Sequence, residues 1–310
     1  VALVTVSIVN HESGNDVLEA LASIERERAA SLELEVIVVD NASGDGSVEA
    51  IRSRFQHVVV VAREQRHGYG ANHNVALRRA RGDHVLLLNA DVVIQPGAIE
   101  SLSRHLDEHP KTAVAAPTVL APDHRLEPTL WPSPSPFVEL RTLLRGGAPR
   151  PVRDGEVIGW AQGCALMVRR ASVLDVGGFD EGFFMYCEEI DLCTRLVNAG
   201  HRIVHANDAT VIHRGGGSTG PHPSERAVEV ARSRRRYWHK HQGLAARSMS
   251  RGVVGAQLTG LAVVAAARGR PVRARLIEAA MCFYDPGWPG LRERADAYNR
   301  ASALRRRRDA

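Results

Sequence analysis

Along residues 1–91, short apolar runs rich in β-branched residues alternate with stretches whose apolar positions recur every three or four residues, the pattern of strands alternating with amphipathic helices. A strand is expected over 3–9, followed by a polar turn and a helix whose inner face is Val17, Leu18, Leu21 and Ile24. A second strand over 36–39 ends at Asp40, a short helix reaches Phe55, and a third strand follows over 58–61. Gly68-Tyr69-Gly70 reads as a turn, after which a helix over about 71–80 leads into 85–88. That last run is continuously apolar, as in strands buried on both faces, and it stops at Asn89-Ala90-Asp91. Strand and helix in alternation predict an α/β fold with a parallel, doubly wound sheet.

Periodicity fades over 117–151, a stretch rich in proline and arginine that reads as a long loop with one short helix over 137–144. Regular structure resumes over 159–168, passes a Gly-Gly turn at 177 and 178, and reaches a helix starting near Glu188. From Ser224 onward the chain is arginine-rich and helical. The expected organisation is an α/β domain over 1–223, in two parts of about 1–116 and 117–223, and a basic helical extension over 224–310.

Composition narrows the class. The 310 residues are 44% hydrophobic and 24% charged, as in a packed globular protein. The net charge of +5 is local, concentrated in clusters such as Arg234-Arg235-Arg236 and the arginines at 305–308, and points to an anionic surface or substrate. The four cysteines have neither zinc-ribbon spacing nor the density of a disulfide-stapled domain, which fits reduced thiols in the cytoplasm. Residues 1–9 read as a strand rather than a signal peptide. The apolar run 252–267 is shorter than a spanning helix requires, so contact with a membrane face is expected rather than passage through it.

Ligands of a parallel sheet bind beyond the carboxyl ends of its strands, where Asp40, Asn41, Asn89 and Asp91 fall. Asp40-Asn41-Ala42-Ser43 offers a carboxylate and an amide suited to a base and ribose edge, and serves equally well as a self-bonded turn. Asn89-Ala90-Asp91 places two oxygen-bearing side chains where a hard divalent cation could bridge them to phosphates, though such patterns also cap ordinary turns. Glu188-Glu189-Ile190-Asp191 puts three carboxylates in four residues behind the apolar Phe183-Phe184-Met185-Tyr186. A partly desolvated member of that cluster would hold its proton more tightly and suit a general base, while exposed ones would simply favour a helix N-terminus. His213 ends a short β run and is either a ligand or a satisfied core group. Arg214-Gly215-Gly216-Gly217-Ser218-Thr219 could bring a guanidinium and backbone amides to phosphate, or act as a hinge.

In this order the segments resemble the inverting glycosyltransferases of family 2 with the GT-A fold, in particular the rhamnosyltransferase-like branch. The resemblance spans about residues 4–214. It is carried by Val6-Ser7-Ile8-Val9-Asn10, Val38-Val39-Asp40-Asn41-Ala42-Ser43-Gly44-Asp45-Gly46-Ser47, Gly68-Tyr69-Gly70-Ala71-Asn72-His73-Asn74, Gly82-Asp83 with 84–91, Gly177-Gly178-Phe179-Asp180-Glu181, and Glu188-Glu189-Ile190-Asp191-Leu192-Cys193. It implies a donor site drawing on Val9, Asn10, Asp40, Asn41, Ser43, Gly68, Asn72, Asn89, Ala90, Asp91 and Arg214, with Asp40 at the nucleobase. It also implies a magnesium or manganese ion at Asp91, Asn89 and His213, and acceptor contacts from Trp160, Gly163 and Glu188. The base aligns with Glu189, with Asp191 as the alternative for that role and Glu188 as a further catalytic carboxylate. Two positions depart from the family's usual pattern: the metal motif begins with Asn89 in place of Asp, and the base position holds Glu189 rather than the Asp of a Glu-Asp pair.

The function so implied is transfer of a sugar, first of all rhamnose from a dTDP donor, to a glycan or lipid-linked acceptor in cell-envelope polysaccharide synthesis. The expected location is the cytoplasm, with peripheral contact on an anionic membrane. A dinucleotide oxidoreductase is the main alternative, since Gly68-Tyr69-Gly70 precedes a helix, but His73 occupies the third glycine position of that fingerprint. Nucleic acid is not expected as a partner, because aromatics make up 5% of the chain and do not interleave with the arginines.

Overall fold

The computed structural model describes residues 3–28, 33–144, 156–215 and 222–309. The strands are β1 (Leu3–Asn10), β2 (Glu33–Asp40), β3 (Val59–Ala62), β4 (His84–Asn89), β5 (Val92–Ile94), β6 (Thr112–Leu120), β7 (Leu130–Trp131), β8 (Val157–Ile158), β9 (Trp160–Ala161), β10 (Ala165–Arg169) and β11 (Arg202–His213). The helices are α1 (Gly14–Arg28), α2 (Ser47–Arg54), α3 (Tyr69–Arg79), α4 (Ala98–Glu108), α5 (Pro136–Leu144), α6 (Arg170–Asp175), α7 (Glu188–Asn198), α8 (Pro223–His241), α9 (Leu244–Ala267), α10 (Arg273–Met281) and α11 (Leu291–Asp309).

Among the described residues the main sheet runs β3-β2-β1-β4-β10-β6-β11-β5, with β8 added beside β11. Strands β3, β2, β1 and β4 are parallel; β10 lies antiparallel between β4 and β6, and β11 is again parallel to β6. The strand order reverses between β1 and β4, which opens a crevice at their carboxyl ends. Alternation along β4 fixes both faces: Leu86 and Leu88 pack under α1, α2 and α4, while Val85 and Leu87 pack under α3, α6 and α7. Each fully buried leucine contributes about 2 kcal/mol of transfer free energy. The expected α/β sandwich is therefore present, and the four apolar positions predicted for α1 are all buried.

Several elements differ from the sequence reading. Tyr69 and Gly70 belong to the first turn of α3, with Gly68 as its N-cap, rather than to a preceding turn. Pro117, expected to open a loop, sits inside β6 opposite Ala206, beside the register shift between Ala206 and Thr210 of β11; a bulge is where a strand tolerates a residue that cannot donate. Part of the loop over 117–151 is regular, forming the end of β6, β7 and α5; residues 145–155 lie outside the described residues.

The apolar run first read as 252–267 belongs to the 24-residue helix α9, which starts at Leu244 and is long and apolar enough to cross a bilayer. The argument from length against spanning therefore does not hold. One side of α9 packs inward: Val254 and Leu258 join Phe183, Tyr237, Trp238 and Cys282 in a small core. The C-terminal helices also reach back across the catalytic domain. In α11, Asn299 accepts from the Arg66 amide at 2.7 Å and donates to the Arg66 carbonyl at 3.0 Å, while Arg66 stacks 3.7 Å over the Tyr298 ring.

Candidate active site

A cavity of about 350 Å³ opens at the carboxyl ends of β1 and β4. Its lining includes Val9, His11, Asn41, His67, Asn72, Asn89, Ala90, Asp91 and His213, together with Tyr69, Gly163, Tyr186, Glu188, Glu189 and Arg226. The ends of β1, β2 and β4 deliver Val9, Asn41 and Asn89, α3 delivers Asn72, and the start of α7 delivers the acidic pair, so residues distant in sequence converge where the sheet reverses its order.

Glu188 and Glu189 open α7 behind an unusual turn: Tyr186 and Cys187 both have positive φ, 69° and 63°, although neither is glycine. Two consecutive left-handed residues carry backbone strain, and here they aim the first turn of α7 at the cavity. The Oε2 atoms of Glu188 and Glu189 are buried and, among the described residues, have no hydrogen-bond partner. Burial raises the Glu189 carboxyl to about 7, and burial with the neighbouring Glu189 charge drives Glu188 well above the usual carboxylate range. Glu189 thus presents one unpartnered carboxyl oxygen in the cavity, with a proton affinity suited to exchange near neutral pH.

Asp191, one turn further on, is in a different situation. It is fully buried and does not line the cavity. Its Oδ2 accepts from Arg195 at 2.8 Å, and its Oδ1 lies 2.8 Å from Lys240 Nζ and 2.7 Å from His241 Nε2. Burial pushes its carboxyl up, but His241, Lys240 and Arg195 outweigh this and hold it below the ordinary value. With both oxygens engaged by Arg195, Lys240 and His241, Asp191 fixes α7 to α8 and offers no free oxygen to the cavity.

Asp91, just after β4, and His213, the last residue of β11, meet in the same cavity. Asp91 Oδ1 lies 3.4 Å from His213 Nε2, and His213 Nδ1 lies 3.4 Å from Glu127 Oε2. Burial opposes both ionisations, yet each partner overcomes it: the Asp91 carboxyl sits below its usual range and the His213 imidazole above its own. An ionised carboxylate, an imidazole nitrogen and the Asn89 side chain suit a divalent cation, which could take the place of the histidine's proton. Among the described residues no three His, Cys, Asp or Glu side chains form a cage, so phosphates and water would complete the coordination, as magnesium and manganese commonly require.

The remaining predicted residues divide. Val9, Asn41, Asn72, Asn89, Ala90, Gly163 and Glu188 line the cavity with Asp91, Glu189 and His213. Asp40 does not: its Oδ1 accepts from Asn10 at 2.7 Å and its Oδ2 from the Ser43 amide at 3.1 Å, so it shapes the loop after β2. Asn10 is buried and spends its amide on Asp40 and Ser47, and Ser43 accepts from the Glu12 amide at 2.9 Å. Gly68 lies under the Phe184 backbone, where a Cβ would come within 2.3 Å of the Phe184 carbonyl oxygen. Trp160 stacks on Trp131 with ring centroids 6.1 Å apart, away from the cavity wall. The Arg214 guanidinium pairs with Asp16 at 3.0 Å and Glu19 at 2.5 Å on α1; residues 216–219 of the glycine segment lie outside the described residues. Tyr69, whose hydroxyl donates to the Gly163 carbonyl at 2.5 Å, and His67, Tyr186 and Arg226 were not anticipated. Only Tyr69 and Tyr186 lay inside segments already singled out.

Comparison with known proteins agrees with this geometry. The sequence profile of the family described as "Glycosyl transferase family 2" matches residues 5–174. The chain is 32% identical over 235 residues to an N-acetylglucosaminyl-diphospho-decaprenol L-rhamnosyltransferase of Mycobacterium tuberculosis, covering 66% of this chain and 73% of that one. It is 29% identical over 162 residues to the rhamnosyltransferase WbbL of Escherichia coli K12, covering 47% and 61% of the two chains. Among solved structures, the mannosyltransferase PcManGT from Pyrobaculum calidifontis, in complex with GDP-Man and Mn2+, superposes with a TM-score of 0.57 at 20% identity, covering 97% of this chain and 86% of that one. Staphylococcus aureus TarS 1-349 in complex with UDP-GlcNAc gives 0.53 at 18% identity over 90% and 89%. These likenesses establish the GT-A fold.

Proposed function

The chain belongs to glycosyl transferase family 2, and from that premise we propose that it moves rhamnose from a dTDP-linked donor to a hydroxyl of a lipid-diphosphate-linked glycan in cell-envelope polysaccharide synthesis. The names of the rhamnosyltransferase relatives support the sugar and the acceptor class. The observation that carries the chemistry is the unpartnered Glu189 oxygen in the cavity that Asp91 also lines.

Glu189 takes the proton of the acceptor hydroxyl as that oxygen attacks the anomeric carbon, and the bond to the nucleoside diphosphate breaks on the opposite face. The configuration inverts. Burial gives Glu189 the proton affinity for this step, since a base with a value of about 7 both ionises near neutral pH and accepts a proton with useful driving force. Glu188, buried deeper, holds its proton more tightly than an ordinary carboxyl, which opposes a second charge beside Glu189. Asn41 and Asn72 shape the donor side: Asn41 brackets the His67 backbone at 2.7 and 3.0 Å, and Asn72 accepts from Arg63 at 3.0 Å. A magnesium or manganese ion bound at Asp91, His213 and Asn89 would neutralise charge on the leaving diphosphate.

The proposed setting is the cytoplasmic face of a membrane. The α9 helix exposes Leu261, Val263 and Val264, and Phe283, Tyr284 and Trp288 are exposed nearby in sequence, with Arg268, Arg270, Arg273 and Arg275 between the two groups. Apolar residues interspersed with arginines suit the interface of an anionic bilayer. Flotation with anionic liposomes at low salt checks this, and failure to float would remove it.

Saturation-transfer NMR against a panel of nucleoside diphosphates and nucleotide sugars, with and without manganese, tests the donor reading. Cation-dependent binding of a thymidine nucleotide that disappears in Asp91→Ala is expected; cation-independent binding, or binding of NAD alone, would refute it.

A further inference from the structure

The mechanism leaves one wall residue unused. Arg226, on α8, is the only arginine or lysine among the described residues lining the cavity, which also carries the carboxylates Glu12, Asp16, Asp91, Glu188 and Glu189. A guanidinium in such company ordinarily pairs with one of them. Arg226 does not: among the described residues no carboxylate lies within ion-pair distance, and Glu278, whose field it feels, is hydrogen-bonded to Arg234 at 3.4 Å instead. Its guanidinium carbon lies 5.7 Å from the centre of the Tyr186 ring, a cation–π contact that orients the group without consuming its N–H donors.

Its position relative to the base is fixed. Ser233 on α8 donates to the Met185 carbonyl at 2.8 Å, which ties the helix to the turn leading into Glu188 and Glu189. Asp191 clamps the far end of α8 through Lys240 and His241. Arg226 therefore stands next to Tyr186 and the turn into the proposed base, whereas the proposed cation ligands Asp91 and His213 come from the segment after β4 and the end of β11.

Building on the acceptor reading above, we propose that Arg226 is the binding site for the phosphate that joins the acceptor sugar to its lipid. The planar group offers paired N–H donors to phosphate oxygens, a geometry that lysine does not reproduce. Recognition of the lipid diphosphate would then select lipid-linked over free glycans, and the C-terminal helices would supply a specificity residue as well as packing.

The test uses the full chain in detergent, with the donor site saturated by dTDP and manganese, and titrates farnesyl diphosphate into wild type, Arg226→Lys and Arg226→Ala. Because Arg226 is exposed at the cavity mouth, neither substitution removes core packing. Wild type is expected to bind, Arg226→Ala to lose about ten- to a hundred-fold in affinity, and Arg226→Lys to fall between. Affinity for dTDP, measured separately, should stay within about two-fold in all three. Equal farnesyl diphosphate affinity in wild type and Arg226→Ala, or none in wild type, overturns the proposal. An equally large loss of dTDP affinity in the variant also overturns it, by moving Arg226 to the donor. The donor arm with wild type reports on the transferase reading independently: loss of dTDP binding there, with farnesyl diphosphate binding intact, would refute the donor assignment and leave the Arg226 site standing.

Discussion

His241 Nε2 lies 2.7 Å from Asp191 Oδ1, so the helix carrying the proposed base is tied to a residue 50 positions further along the chain. Lys240 and Arg195 complete the arrangement, and all of them depend on Asp191 remaining ionised. Asp191→Asn leaves these cations without a counter-charge, at a cost of about 2–3 kcal/mol; the value is at the low end for a buried pair because Lys240 is 33% exposed. The group's folded pKa is depressed, so its stabilisation is present above the ordinary aspartate range and is lost as pH falls through the folded value. Urea denaturation at pH 7.5 should show the loss, with a smaller wild-type–variant difference in acid; identical midpoints at both pH values would remove the clamp.

Glu189 makes the opposite prediction. Its folded value of about 7 exceeds the ordinary 4.5, so the stability associated with the neutral form is complete below 4.5 and is lost as pH rises to about 7. Ionising it in place costs about 3 kcal/mol, and Glu189→Gln should therefore be more stable than wild type above pH 7. The same variant should lose about 10²–10⁴ in kcat with nucleotide affinity unchanged, while the wild-type rate climbs with unit slope up to about pH 7. A flat pH profile, or an active Glu189→Gln enzyme, would assign the proton to another group.

Gly68→Ala tests a contact made by backbone alone. A methyl group would meet the Phe184 carbonyl oxygen at 2.3 Å and push the segment leading to the catalytic pair. A loss of about 1–3 kcal/mol is expected. It should come with a fall in kcat larger than the change in nucleotide affinity, since the displaced segment carries Glu189. Steady-state kinetics alongside thermal melts separate the two effects.

Asn299 brackets Arg66 from the last helix, next to the cavity residue His67. Asn299→Ala leaves an amide and a carbonyl without their partner, worth about 1–2 kcal/mol locally. Faster hydrogen exchange at Arg66 and His67 and a several-fold weaker nucleotide complex are expected. Unchanged exchange would mean that the C-terminal helix does not support the donor loop.

Much of this arrangement was legible in the sequence because the governing physics is local. The all-apolar run 85–88 could be buried only between two helical layers, and Val17, Leu18, Leu21 and Ile24 could face only the sheet. Asp91, Glu189 and His213 stood out because they end or begin elements at one edge of the sheet. What was hidden depends on distant partners. Asp40 was recognisable as a strand-end carboxylate, but its engagement by Asn10 and Ser43 is a property of the folded loop. Asp191 looked like its neighbours until Arg195, Lys240 and His241 from two helices converged on it. Arg226 is one arginine in a basic helix, and nothing local distinguishes it from Arg232 or Arg236, which pair with Glu293 and Asp180.

The most direct test is product analysis. Purified protein incubated with manganese, dTDP-rhamnose and a lipid-diphosphate-linked N-acetylglucosamine acceptor should yield one new glycoside, and NMR of that product reads its anomeric configuration. The account predicts a linkage opposite in configuration to the donor, formed by wild type and absent with Glu189→Gln. A product with the donor's configuration, or one formed equally by the variant, would contradict it.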